Sequence, residues 1–174
     1  RPGRKKEETL SKTTTVQHRQ RFSDSGRQAQ DGTIEIIAIS AGSGNGWEFS
    51  AEVLQTSLGL WDGVESYIDH TWQARSVRDL AGICSNPRWE EERQGIQLTL
   101  SPLGPSAEVL RQTAQETLQP HAPSPHIGFS ADLIFSAAGQ HVMRIEKVLS
   151  VDLVVNPARG GSFIHEVQPS APAE

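Results

Sequence analysis

Residues 126–155 read HIGFSADLIFSAAGQHVMRIEKVLSVDLVV, and the fold turns on this stretch. Two runs of strand character, residues 126–135 and 141–155, flank a turn cluster at residues 136–140 (SAAGQ). A connection this short cannot join parallel strands, so the pair reads as an antiparallel hairpin. In the first strand Ser130, Asp132 and Ile134 share one face, with Phe129, Ala131, Leu133 and Phe135 on the other. In the second, alternation separates Ser150, Asp152 and Val154 from Val151, Leu153 and Val155. A carboxylate among such apolar neighbours is either exposed on one face or buried with a partner, because an unpaired buried charge is expensive.

Upstream of the hairpin the pattern continues. Residues 33–40 (TIEIIAIS) end at the turn cluster of residues 42–46 (GSGNG), and residues 65–70 (ESYIDH) and 95–103 (GIQLTLSPL) also have strand character. Residues 73–80 read as a short helix stopped by Gly82. Residues 106–119 read as a longer one: Ser106 is an N-cap candidate, Leu110, Ala114 and Leu118 fall on one face, and Pro120 ends it. The expectation is an α+β fold, mainly an antiparallel β-barrel of about six or seven strands with a few flanking helices.

The 174 residues suit one domain with tails. Residues 1–31 are polar, lack apolar periodicity and are expected to form a disordered basic/polar arm, residues 32–167 the folded domain, and residues 168–174 a Pro/Ala tail. These ends explain a hydrophobic content of 36%, low for a compact domain. A net charge of -5 argues against nucleic acid as partner. The cluster of Arg1, Arg4, Lys5 and Lys6 is followed at once by Glu7 and Glu8 and reads as solvated tail. No apolar run approaches the ~20 residues that span a bilayer, and no charged-then-apolar leader opens the sequence, so neither a membrane nor secretion is expected. Cys84 is the one cysteine, which excludes an internal disulfide and a Cys-based zinc site. No His pair has the HExxH spacing either, so neither metal nor cofactor is expected.

Two residues stand out as chemistry. Ser130 lies in Gly128-Phe129-Ser130-Ala131-Asp132, where Gly128 would let a second backbone approach closely, as a substrate chain needs. It is not a nucleophile elbow, since Asp132 stands where that motif requires Gly. His70 closes the strand at residues 65–70, and neutral imidazole, with an unperturbed pKa of about 6.5, is the usual base for a serine nucleophile. Taken alone, a strand serine is far more often a packing residue and a strand-end histidine a satisfied surface group. His18, His121, His126, His141 and His165 are lesser candidates.

The order of the segments narrows this. IEIIAISAGSGNGWEFSAEVL, then LWDGVESYIDH, a helical stretch, HIGFSADLIF and finally VLSVDLVVNPARGG resemble the prohead (head-maturation) proteases of tailed phages, which share a fold with the herpesvirus assemblins. The match runs from about Thr33 to Phe163. The resemblance implies that residues 32–167 are a serine protease domain with Ser130 as nucleophile and His70 as general base. It also implies that Arg159 and Gly160, in the loop at residues 156–161 (NPARGG), lie beside the oxyanion. It implies scaffold and capsid-protein segments, and the protease itself, as substrates, action inside the assembling head in the bacterial host cytoplasm, and a homodimer. Two departures stand beside it. Many relatives follow the serine with Ile-Gly-aromatic, where this chain has Ala131 and Asp132, and many carry Glu and Ser where this chain has Ser150 and Asp152. Asp152 is the choice for the residue that orients His70, with Glu146 and His141 as competitors. The rival reading is a catalytically inactive head protein that kept the fold. A Ser130 Oγ to His70 separation beyond about 5 Å would favour it.

Overall fold

The structure, a computed structural model, describes residues 14–15, 32–71, 74–119, 126–157 and 161–166. In chain order the strands and α-helices are β1 (Thr14–Thr15), β2 (Ile34–Ser40), β3 (Gly42–Gly44), β4 (Trp47–Phe49), α1 (Ala51–Thr56), β5 (Glu65–Tyr67), β6 (Leu80–Glu90), β7 (Gly95–Pro102), α2 (Ala107–Thr117), β8 (Ile127–Ala138), β9 (His141–Val155) and β10 (Ser162–Glu166). They form two five-stranded sheets, in the orders β1-β8-β9-β4-β3 and β10-β2-β7-β6-β5. All pairings within them are antiparallel except β4 with β9. The fold is α+β, mostly strands with few helices.

The hairpin at residues 126–155 forms as β8 and β9, turning at Gly139 and Gln140. Its apolar face, with Phe129, Ala131, Leu133, Val151 and Leu153, joins β2 and β7 residues such as Ile36, Leu98 and Leu100 in one core between the sheets. β2 is buried along its whole length, which suits an Ile-rich central strand. Its one carboxylate, Glu35, accepts bonds from Thr99 Oγ1 (2.8 Å), Gln97 Nε2 (3.1 Å) and Arg88.

Two expectations need correction. The helix expected at residues 73–80 does not occur among the described residues: residues 74–76 have no regular structure, Val77–Asp79 is a single 3₁₀ turn, and Leu80 already opens the long strand β6. Gly82 is a strand residue, not a helix stop. The strand was hidden by Asn86 and Pro87, which read as breakers. They occupy a bulge where the register shifts between Ser85 and Arg88, and Asn86 takes a positive φ of 52°. The second correction concerns Gly128. The backbone that approaches it belongs to this chain: a Cβ there would lie 2.2 Å from Gly161 O and 2.8 Å from Pro157 Cγ. Gly161 in turn presses on Phe129, whose N–H donates to Gly161 O at 3.2 Å. The two glycines thus hold the approach to β10 of one sheet against β8 of the other. A parallel bridge from Ile68 to Leu153 joins the sheets again after β5.

α2 matches its expected face, with Ala107, Leu110 and Ala114 buried. Ser106 stands at its cap position but bonds the Arg78 carbonyl (2.6 Å) rather than the helix. α1 has a side-chain cap, Ser50 Oγ accepting from Val53 N–H at 3.2 Å. Thr14–Thr15 pairs with Leu133 and Asp132 of β8; otherwise the arm expected at residues 1–31 and the tail at residues 168–174 lie outside the described residues. No described helix is long and apolar enough to cross a membrane.

Gly128→Ala is expected to lower stability by about 1–3 kcal/mol, because the added methyl meets backbone that can yield only by parting the sheets. Urea unfolding checks this, and an unchanged midpoint would show that the contact is loose.

Candidate active site

Register builds the site. On β8 and β9, Ser130 lies directly across from Asp152 and Asp132 across from Ser150. The polar face of the hairpin is therefore a cross-strand square of two serines and two carboxylates. Ser130, Ser150 and Asp152 are all fully buried. Such a face needs cover and countercharge, and the segment after β5 supplies both.

β5 ends at Tyr67. Ile68 then bridges to Leu153, and Asp69 N–H donates to Leu153 O at 2.8 Å. Asp69 takes a φ of 61°, a left-handed conformation that Asp tolerates better than most residues. The turn delivers His70 onto the polar square. Its Nδ1 lies 2.5 Å from Asp152 Oδ2 and its Nε2 lies 2.7 Å from Ser130 Oγ. An ionised carboxylate only accepts, so Nδ1–H donates to Asp152 and Nε2 is left to accept from the Ser130 hydroxyl. The His70 side chain is 7% exposed.

Arg75 completes the cover. It donates to Asp152 Oδ2 at 2.8 Å, to Asp132 Oδ2 at 3.3 Å and to Ser150 Oγ. Ser150 Oγ donates to Asp152 Oδ2 at 3.0 Å. The guanidinium is stacked on Tyr67, 4.8 Å from the ring centre. The Tyr67 hydroxyl donates to Glu65, whose carboxylate, helped by burial, pushes the phenol pKa up to about 12. Tyr67 therefore stays neutral and keeps its ring under Arg75 across the ordinary pH range.

The structure brings together His70, Ser130 and Asp152 from three stretches of chain. It does not bring in the two competitors for the orienting role. Glu146 pairs with Arg144 on the surface, where that neighbour lowers its pKa, and His141 pairs with Glu48 at 2.9 Å, both side chains well exposed. Simple alternation had put Glu146 on the face of Asp152. The β8–β9 register instead shifts three times, and Leu149, Glu146 and Met143 are the residues it skips. Arg159 and Gly160, the oxyanion candidates, lie outside the described residues, as do His18 and His121. Cys84 is no rival nucleophile: burial first, then the charge of Asp152, pushes its thiol to about 12 and keeps it protonated. No group of three metal-ligating side chains occurs among the described residues.

Sequence reasoning missed Arg75. The signal available was indirect: two carboxylates on one hairpin face require a cation, but nothing in the sequence says which of many Arg and Lys residues supplies it.

No family model matches the chain, and no curated protein matches it. Among solved structures it is similar to the bacteriophage T4 capsid assembly protease, with a TM-score of 0.45 and 13% identity over 85% of this chain and 92% of that one. At that identity no side-chain role passes from one protein to the other.

Arg75→Met is expected to cost about 2 kcal/mol, between the values for exposed and buried pairs, because it leaves Asp152 without its cation. Adding Asp132→Asn in the same chain should cost less than it does alone, since Arg75 no longer holds that carboxylate. Urea unfolding of the four proteins measures the coupling; additive losses would mean that the Arg75–Asp132 pair contributes nothing.

Proposed function

We propose that the protein is a serine endopeptidase with Ser130 as nucleophile, His70 as general base and acid, and Asp152 as the residue that orients His70. One observation carries this reading: an unbroken hydrogen-bonded chain, 2.7 Å and then 2.5 Å, runs from the Ser130 hydroxyl through both ring nitrogens of His70 to the buried Asp152 carboxylate. Nucleophile, base and orienting acceptor in that order are what acyl transfer to a serine needs.

In the proposed mechanism Ser130 Oγ attacks a peptide carbonyl while its proton passes to His70 Nε2. The imidazolium is stabilised by Asp152 through Nδ1–H. Collapse of the tetrahedral adduct breaks the C–N bond, and His70 returns the proton to the leaving amine. Water, deprotonated by His70, then hydrolyses the acyl-enzyme. Arg159 and Gly160 are the proposed donors to the developing oxyanion. The motif resemblance supports the finer parts of the proposal: scaffold and capsid-protein segments and the protease itself as substrates, action inside an assembling phage head within the bacterial host, and an assemblin-like homodimer. The bridge at Ile68 and the Phe129–Gly161 bond support reading the two sheets as parts of one barrel.

The test is incubation with co-expressed scaffold protein. Ser130→Ala should fold normally and cleave nothing; scaffold processing at a comparable rate would remove Ser130 as nucleophile, and no cleavage by the wild type would favour an inactive head protein. His70→Ala should cost several orders of magnitude. Wild-type rate should fall on acidification, because a protonated imidazole cannot accept the serine proton, and a profile flat between about pH 5 and 8 would count against His70. Asp152→Asn should slow cleavage without abolishing it, since it alters the tautomer and removes the stabilising charge. A variant that folds and cleaves like wild type would free Asp152 of the role.

A further inference from the structure

Three donors converge on one oxygen of Asp152. His70 Nδ1–H at 2.5 Å, Arg75 Nη1–H at 2.8 Å and the Ser150 hydroxyl at 3.0 Å all bond Oδ2, while Oδ1 is buried with no partner among the described residues. A carboxylate can rotate and exchange its two oxygens, so whatever pins Oδ2 toward the ring also aims the ring. The fork of Arg75 suits that task. Its second arm, Nη2, donates to Ser150 on β9 and to Asp132 on β8, which ties the guanidinium to both strands of the hairpin. The same geometry sets a cation one carboxylate oxygen away from the His70 ring. Charges that close move a titration by about 1–3 pH units, and a cation opposes protonation of imidazole. The groups acting the other way are Asp152 on β9, Asp132 on β8, and the exposed Asp69 and Glu65 beside the ring and Tyr67. Tyr67 and Cys84, both pushed up to about 12, stay neutral and take no part.

Resting on the serine endopeptidase reading above, we infer that Arg75 is a positioning residue of the reaction: it fixes Asp152 Oδ2 on His70 Nδ1, and its charge sets how far into acid the reaction persists. The two effects are separable. Fixing the carboxylate acts on the rate at every pH, because a ring that swings away from Ser130 Oγ is a poor base. The charge acts only on the acid side. A cation beside Asp152 opposes the protonated ring, so the neutral base survives to lower pH than the carboxylates alone would allow. Asp132 works through Arg75 in both respects: it holds the second arm of the fork and offsets part of its charge.

The test is the pH profile of scaffold cleavage by the full chain as wild type, Arg75→Met, Arg75→Lys and Asp132→Asn. The titration of the His70 ring is followed in the same proteins by NMR, its resonance assigned by loss in His70→Ala. In Arg75→Met the plateau rate should fall by about tenfold or more, and the acid limb should move to higher pH by about one unit or more. Arg75→Lys should return the limb most of the way while its plateau stays low, since an ammonium keeps the charge but not the fork. Asp132→Asn should move the limb the opposite way, to lower pH, because the whole guanidinium charge then acts on the ring. The His70 resonance should shift in step with the limb each time. A lowered plateau in Arg75→Met with the limb unmoved would reduce Arg75 to a structural role and overturn the inference. So would a limb displaced as far in Arg75→Lys as in Arg75→Met, or one left in place by Asp132→Asn. Those two variants carry the test if Arg75→Met does not fold. If the wild type cleaves nothing, the endopeptidase reading fails on its own, and the His70 resonance alone decides whether Arg75 governs the ring.

Discussion

The pairing of Ser130 with Asp152 across β8 and β9 is the constraint on which the rest depends. Strand side chains alternate, so a slip of one residue would send every polar group of the square into the core and every apolar one out. What holds the register is the opposite face, where Phe129, Ala131 and Leu133 meet Val151 and Leu153 against the β2–β7 sheet. The packing that stabilises the domain and the geometry of the site are therefore two faces of one pairing. The polar face in turn dictates what must cover it. A fully buried carboxylate is tolerated only with partners, and Asp152 takes them from His70, Arg75 and Ser150.

Much of this was legible in residues 126–155 because the signals there are local. Alternation over long runs and a short turn fix a hairpin whatever else the chain does, and an isolated Asp among Val and Leu must be either exposed on one face or buried with a partner. The position of His70 beside that Asp was not local; it came from resemblance between ordered motifs, and the structure supplies its physical cause in the left-handed turn at Asp69 and the bridge to Leu153. α1 escaped notice because six residues hold too little periodicity to read, although Ser50 and Glu52 are ordinary helix-start signals. β6 escaped because a bulge makes breakers compatible with a strand.

The bulges of β9 explain the clearest failure of pattern reasoning. From Val142 to Leu149 the buried residues recur every third place, at Val142, Ile145 and Val148, not every second. Each skipped residue restores the inward face after one step outward, so the strand stays packed while its alternation is lost. Glu146 is carried to the surface by this device. The shifts stop short of the site: from Ser150 to Val155 the pairing is regular, and there simple alternation held. A sequence pattern cannot reveal where such shifts fall, because an exposed Met or Leu is compatible with either reading.

The charges of the site bear on what it can do. Asp132 and Asp152 share one guanidinium, that of Arg75, which leaves the cluster one negative charge in excess while His70 is neutral. In the proposed mechanism, transfer of the Ser130 proton would turn the His70 ring into a cation with Nδ1–H pointed at Asp152, while the negative charge left behind moves to the oxyanion of the adduct. Arg75 would oppose such a cation, while its bonds to both carboxylates offset their mutual repulsion. Arg75 stacks on Tyr67 and is a quarter exposed, so solvent screens part of its charge. Two carboxylates against one screened cation thus suit the site, in the proposed mechanism, to hold a positive ring for the life of the adduct.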